Sequence, residues 1–274
     1  MSVLLHISDT HFGTEDPVVT EALLQFAMAQ KPHLVIVSGD ITQRARRAEF
    51  TAARSFLDWL GTPALVLPGN HDIPLFNLPA RLFWPYDGYR LAFGNRLDPE
   101  FANADTLVIG VNTTRWWRHS DGEVSPLQVE VVAARLRQAL PEQLRIVVTH
   151  QPVHVTKQRD QTNRLHNHES AIRAWSDAGA DLILGGHIHL PYFRSLRAQY
   201  IDLPREVWAI QAGTAISRRV RFEAPNSVNL LRYLPTQRDR CIVERWDFSA
   251  EERAFKLNES LEALLDRHPL PVPD

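Results

Sequence analysis

Six times along the chain, a short apolar run stops at a polar turn. Val3–Ile7 run into SDTH, Leu34–Val37 into SGD, and Ala64–Leu67 into PGNHD. Leu107–Val111 precede NTT, Ile146–Val148 precede TH, and Leu182–Leu184 precede GGHIH. Branched apolar runs without strict alternation suit strands covered on both faces, as in a parallel sheet with helices over it. The helical stretches fall between them. From Phe50, apolar positions recur at Ala53, Phe56, Leu57 and Leu60, and Gly61 is placed to end that helix. Ser125, Pro126 and Gln128 form a helix start of capping-box type, with Val129, Val132, Leu136 and Leu140 as its buried stripe. A third helix is predicted near His168–Ala178, stopping at Gly179.

The last third changes character. EVWAIQAGTA, VNLLRYL and CIVERWDFS read as strands without helices between them, which predicts an additional sheet packed against the first. Residues 251–264, EERAFKLNESLEAL, read as a terminal amphipathic helix, followed by the frayed tail RHPLPVPD. The expected organisation is one domain over 1–250 and a C-terminal helix and tail over 251–274.

With 274 residues and 44% hydrophobic content, the chain can bury one large α/β core. Its 30 basic and 32 acidic side chains give a formal net charge of -2, so there is no global pull towards nucleic acid or anionic lipid. The single cysteine, Cys241, excludes an internal disulfide framework and a thiolate metal cluster. The opening MSVLLHISDTHFG has neither the basic start nor the apolar length of a secretion signal. No stretch approaches the roughly 18 apolar residues of a membrane span. A soluble, cytoplasmic protein is the expectation.

Ligands in α/β proteins gather beyond the carboxyl ends of strands. Those ends carry Asp9, His11, Asp40, Asn70, His71, His150, His187 and His189. Imidazole and carboxylate donors suit borderline divalent metals and Fe(III). Gly185 and Gly186 would permit a tight turn that brings His187 and His189 into the same cluster as Asp9 and His11. A lone His-x-His pair is a weak metal signal; its repetition at several strand ends is a strong one.

In their order, SDTHFG, SGD, PGNHD, VTH and GGHIH make residues 1–215 resemble the calcineurin-like metallophosphoesterase superfamily. In motif pattern the chain is most similar to the bacterial class III cyclic-nucleotide phosphodiesterases. The resemblance implies a four-layer α/β-β/α sandwich of two mixed sheets flanked by helices, holding two metal ions. Carried over residue by residue, it assigns Asp9, His11 and His189 to one metal and Asn70, His150 and His187 to the other, with Asp40 bridging. His71 would stay off the metals, facing the phosphate to stabilise charge or protonate the leaving oxygen, and Asp72 would orient its ring. Manganese, or iron with manganese, is the implied pair, and zinc also fits the ligand types. Two cations about 3.5–4 Å apart would activate a hydroxide for in-line attack.

Other residues have competing roles. His6 is expected to pack or to give a supporting hydrogen bond, and Asp181 to serve as a turn or cap. Asn112 is either a turn residue or a group approaching the site. Thr42 orders its turn. Arg44, with Arg46 and Arg47, either starts a solvated helix or reaches substrate phosphate. Phe76, Phe83, Trp84 and Tyr86 are candidates for a lid core. Trp116 and Trp117 would pack or form a base-stacking or acyl-binding surface. His154, Lys157, Arg159, Arg164, His166 and His168 mark a polar loop near the metal face.

The leading expectation is a phosphodiesterase acting on a small phosphodiester, a cyclic nucleotide among the options. Glycerophosphodiesterase and UDP-diacylglucosamine pyrophosphatase are the enzyme alternatives. His71 counts against the latter, whose relatives typically carry arginine there. A metal-stabilised interaction module without catalysis is the rival of a different class. No stable nucleic-acid partner is expected, and a homodimer is an option.

Overall fold

Residue alternation within the apolar runs assembles the layers. In the first strand Val3, Leu5 and Ile7 join a core that includes Val19, Leu23, Phe50 and Phe56 from two helices. Leu4 points the other way, into a core shared with Val108, Ile146 and Leu182. Both faces of the strand are therefore dry, which is why its sequence lacks polar alternation.

The structure is a computed structural model describing residues 1–267. In chain order its elements are β1 (Ser2–Ile7), α1 (Pro17–Gln30), β2 (Leu34–Val37), α2 (Arg47–Leu60), β3 (Ala64–Val66), α3 (Leu78–Phe83), α4 (Asp87–Phe93), β4 (Glu100–Ala102), β5 (Thr106–Gly110), α5 (Pro126–Arg137), β6 (Leu144–Val148), α6 (His168–Asp177), β7 (Leu182–Gly185), β8 (Tyr192–Ser195), β9 (Trp208–Gln211), β10 (Ser227–Tyr233), β11 (Arg240–Ser249) and β12 (Ala254–Leu264). One sheet runs β12-β11-β10-β1-β2-β3 and the other β4-β5-β6-β7-β9-β8. The first sheet packs on α1 and α2, the second on α5 and α6 around the fully buried Trp175, and the two sheets pack on each other. The result is the four-layer α/β-β/α sandwich of mixed sheets. The expected caps form: Gly61 ends α2 with φ 63, and Ser125 and Gln128 exchange backbone hydrogen bonds at the start of α5.

Two expectations are corrected. The late strands do not make a sheet of their own. β10, β11 and β12 extend the first sheet through antiparallel pairing of β10 with β1, whereas β9 pairs parallel with β7 in the second. The second sheet is founded earlier, by β5, β6 and β7. Segment 251–264 is not a helix. From Ala254 onward it forms β12, paired along the length of β11. A bulge between Arg245 and Trp246 shifts the register, so Phe255 joins the helix-side core while Ala263 faces the other sheet. Pairing on both cores overrides the local helical spacing. Arg267, at the start of the predicted tail, is anchored: its Nη2 lies 3.0 Å from buried Asp181 Oδ2. The rest of that tail lies outside the described residues.

Candidate metal centre

The ends of β1, β2, β6 and β7 and the PGNHD turn after β3 bring the predicted ligands together. Three groups of donor atoms lie within ligand-sharing distance: Asp9, His11 and His189; His11, Asp40 and His71; and Asp40, His150 and His187. Asp40 links them, its Oδ1 3.2 Å from His150 Nε2 and its Oδ2 3.8 Å from His11 Nε2. Asn70 joins the third group, its Oδ1 3.1 Å from His150 Nε2.

The backbone sets these positions at a cost. Asp9, His11, Asp40, His187 and His189 all adopt positive φ, between 43° and 72°. Each such non-glycine residue costs on the order of 1–3 kcal/mol, and strain of this kind collects at functional sites. The turn after β7 needs the close approach expected of its glycines, and adds strain at the histidines. His187 and His189 themselves take the left-handed conformation, while Gly186 supplies clearance: a Cβ there would lie 1.9 Å from Ser8 Oγ and 2.6 Å from Asp9 Oδ2. Main-chain bonds from Asp9 N to Gly39 O and from His11 N to Asp40 O, both 3.0 Å, lock the first two loops together.

The proton inventory fits cation ligation. His150 donates Nδ1–H to Ser38 O at 2.8 Å and His189 donates Nδ1–H to Arg219 O at 2.7 Å, so each turns Nε2 to the cluster, where the neutral ring offers a lone pair. His187 faces Asn163 Oδ1 through Nε2 at 3.3 Å, leaving its buried Nδ1 without a hydrogen-bond partner. His11 Nε2 and His189 Nε2 approach to 3.2 Å, and Asp9 Oδ1 sits 3.1 Å from His189 Nε2 without hydrogen-bond geometry. These lone pairs converge as ligands of a shared cation do.

Electrostatics reinforce the arrangement. Burial pushes His11 down to about 3 and His187 to about 4, keeping both rings neutral donors. Burial acts the same way on His150, but Asp40 outweighs it and lifts the ring to about 9, so with no cation bound Nε2 holds a proton that ligation would displace. Burial opposes ionisation of Asp9 and Asp40, yet His189 and His150 hold these carboxyls below the usual range.

Asp72 requires a correction. It does not orient His71; its carboxylate accepts from Ile41 N, Thr42 N, Thr42 Oγ1 and Gly69 N at 2.8–3.1 Å. Burial and the charge of Asp40 raise it to about 6. It knits the SGD and PGNHD loops together. The His71 ring is oriented instead by Gln43 O, 2.9 Å from Nδ1, so Nε2 faces outward. Thr42 orders its turn as expected, its Oγ1 accepting from Ala45 N at 3.1 Å.

Two cavities meet at Asn70, His71 and His119. One, of about 580 Å³, opens over Asp40, His187 and His189 and reaches Asp160, Asn163 and Arg219. The other, of about 200 Å³, is walled by Ile73, Leu75 and Phe76, with Arg44 5.0 Å over the Phe76 ring. Arg44 therefore borders the site. Trp116 and Trp117 line neither cavity and do not pack in the core; they stack edge to face, 40% and 57% exposed. Their flanking arginines are occupied, Arg115 with Asn112 O and Gln128, Arg118 with Asp121 and Glu123. Phe76, Phe83 and Trp84 are exposed and form no lid core, because Tyr89 and Phe93 of α4 supply the packing against Phe50 and its neighbours.

Asn112 is a turn residue, accepting from Thr114 N and Oγ1. His6 is buried, bonded to Ser38 Oγ and Asn229. In the polar loop after β6, Lys157 and Arg159 pair with Glu223, whereas Asp160 and Asn163 reach the cavity. Asn163 and Arg219, missed in the sequence, carry no local motif; Asn163 lies within the polar loop after β6, and nothing in the sequence singled out the segment around Arg219.

Two back-to-back mixed sheets with shared-ligand groups at their strand ends define a four-layer α/β protein with a candidate binuclear metal centre. The chain belongs to the calcineurin-like phosphoesterase family, which residues 2–191 match. Over 81 residues it is 36% identical to the glycerophosphodiester phosphodiesterase GpdQ of Enterobacter lignolyticus, a match covering 26% of this chain and 29% of that protein. A dimetal phosphatase from Danio rerio shares the fold with TM-score 0.67 at 14% identity, over 97% of this chain and 99% of that one. Purple acid phosphatase PPD1 from yellow lupin, Lupinus luteus, aligns with TM-score 0.65 at 10% identity, over 95% of this chain and 53% of that one. Among the described residues no helix is long and apolar enough to cross a membrane.

Proposed function

We propose that this chain is a binuclear metal-dependent phosphodiesterase acting on a small phosphodiester. The observation that carries the reading is Asp40, one buried carboxylate shared by ligand groups on both sides. Asp9, His11 and His189 would hold one ion and Asn70, His150 and His187 the other, with Asp40 between them. When bound, the two ions supply Lewis acidity and an activated water. The rest belongs to the chain. Asn70 contributes a neutral amide oxygen, limiting negative charge beside an anionic substrate. His71, its Nδ1–H fixed on Gln43 O, presents Nε2 to the cavity; in the doubly protonated ring the Nε2 proton would pass to the departing oxygen or stabilise its charge.

The all-nitrogen-and-oxygen donor set supports manganese or iron, with zinc as an outcome of the test. The unpaired, buried Cys241 is consistent with a cytoplasmic setting. Among small phosphodiesters, the likeness to GpdQ favours glycerophosphodiesters as the second reading beside cyclic nucleotides. The test loads the protein with Mn, Fe or Zn, locates the ions by anomalous scattering, and assays a panel of cyclic nucleotides, glycerophosphodiesters and nucleotide-linked lipids. Two metal positions and chelator-sensitive diester hydrolysis are expected. A single position in fully loaded protein overturns the binuclear assignment. A metal pair without turnover makes the chain an interaction module, and any homodimer is read from its mass in solution.

A further inference from the structure

The loop after β9 carries three arginines in four residues, 218–221, and their partners differ. Arg218 lies 3.6 Å from Asp16 Oδ2. Arg221 forks onto Asp160 at 3.1 and 3.2 Å and also meets Glu223. Arg219 has no carboxylate within ion-pair reach among the described residues. Its Nη1 instead lies 3.1 Å from His71 Nε2, 3.2 Å from Gln43 Oε1 and 3.4 Å from His11 Nδ1. None of these matches its charge: Gln43 Oε1 is an amide oxygen, the His71 contact is long, and His11 Nδ1 keeps the ring proton when Nε2 serves a cation, so a group with five N–H donors and a permanent charge has only weak partners here. A guanidinium facing a cavity with its charge unmatched is built for an anion.

The main chain holds it there. Arg219 O accepts from His189 Nδ1 at 2.7 Å, and Arg219 N donates to Ser217 Oγ at 3.0 Å. Arg221 Nη1 donates to Ile188 O at 3.0 Å, bolting the loop to the His187–His189 turn. Positioning of this kind makes a fixed charge effective, because little reorganisation is needed when the anion arrives. The same cavity is lined by Asp40, Asn70, His71, His187 and His189.

We infer that Arg219 is the phosphate-binding arginine of the site, its guanidinium exchanging His71 and Gln43 for a nonbridging oxygen of the substrate phosphate. This rests on the phosphodiesterase reading. It assigns the chain a fixed positive charge of its own beside any metal, and a residue that selects anionic esters over neutral ones.

Wild type, Arg219→Ala and Arg219→Lys, each loaded with Mn²⁺, are compared by metal content, calorimetric binding of inorganic phosphate, and kcat and KM for bis(p-nitrophenyl) phosphate. The alanine variant is expected to keep its metal, since the backbone carbonyl under His189 is unchanged. It should bind phosphate about ten- to a hundredfold more weakly, with KM rising alongside. Lysine should recover part of the loss, retaining charge without the fork. Phosphate binding within twofold of wild type in Arg219→Ala overturns the inference and leaves the phosphodiesterase reading intact. Loss of metal in that variant overturns it too, since the side chain would then be supporting ligands. Wild type that binds phosphate through Arg219 yet hydrolyses no diester keeps the anion site and ends the diesterase reading.

Discussion

The floor and the rim of the cavity are built on opposite plans. On the floor Asp9, His11, Asp40 and His150 are at most 2% exposed, and the main chain around them is strained and cross-bonded. On the rim Phe76 is 74% exposed, and farther out Trp84 and Trp117, which line neither cavity, are 58% and 57% exposed. Floor side chains are over-determined, because each is fixed by its own backbone and by a neighbour's hydrogen bond. Rim side chains are fixed by little. Positioning therefore resides in the floor, and the outer aromatics are free to move.

The largest effect expected from this contrast is at Asp40. Asp40→Ala removes the carboxylate shared by both ligand groups and the acceptor of His71 N at 2.8 Å. Metal should be lost from both positions and turnover should fall by about a thousandfold or more. Metal analysis beside rates on folded protein checks this; a variant that keeps one ion would show that the groups are independent. His71→Ala comes next. It should retain metal while turnover drops about a hundredfold or more, and a substrate with an activated leaving group should recover part of the loss if the ring acts as an acid. Metal loss equal to that of Asp40→Ala would place His71 among the ligands, as its nearness to His11 and Asp40 also allows.

The floor was legible in the sequence because each ligand interrupts an apolar run, and a polar residue at the mouth of a buried strand is informative by itself. Asp72 was misread because adjacency to His71 suggested a contact, while the 3-10 turn at Asn70–Asp72 sends its carboxylate to the SGD loop. Arg219 was invisible, lying 30 residues beyond His189 in a run of arginines whose pairing only the fold determines. Sheet membership was equally hidden. β10 reaches β1 across more than two hundred residues, and no local pattern distinguishes that from a sheet of its own. β12 shows the strongest override: local spacing suggested a helix, and the open edge of β11 decided otherwise.

Beneath the floor, His6 offers a test by pH. Burial outweighs the nearby Asp9 charge and lowers His6 from 6.5 to about 3. Between those values the unfolded chain takes up a proton that the folded ring refuses. Its contribution to stability is thus complete above pH 6.5 and is lost as pH falls towards 3, by up to about 1.4 kcal/mol per unit. Denaturation of wild type and His6→Gln at several pH values should give a shallower acid slope for the variant. Parallel slopes would mean that the ring is protonated inside the fold, bonded differently from the Ser38 and Asn229 contacts seen.

The smallest effect belongs to the rim, and it separates aromatics that border the cavity from those that do not. Phe76 lines the smaller cavity beneath Arg44, whose guanidinium lies 5.0 Å from the ring centroid. An exposed contact of that kind is worth about 0.5–1 kcal/mol, so Phe76→Ala should raise KM for a soluble diester by about two- to fivefold at unchanged kcat. Trp117 touches Trp116 edge to face at 5.5 Å and borders neither cavity. Trp117→Ala should leave KM alone and shift stability by no more than about 0.5 kcal/mol. Running both variants against a short-chain and a long-chain phosphodiester makes the comparison sharper. If Trp117→Ala changes KM only for the long chain, the tryptophan pair extends the rim beyond the cavity; if it exceeds Phe76→Ala on the short one, substrate enters from the tryptophan side and the apolar chamber is not its path.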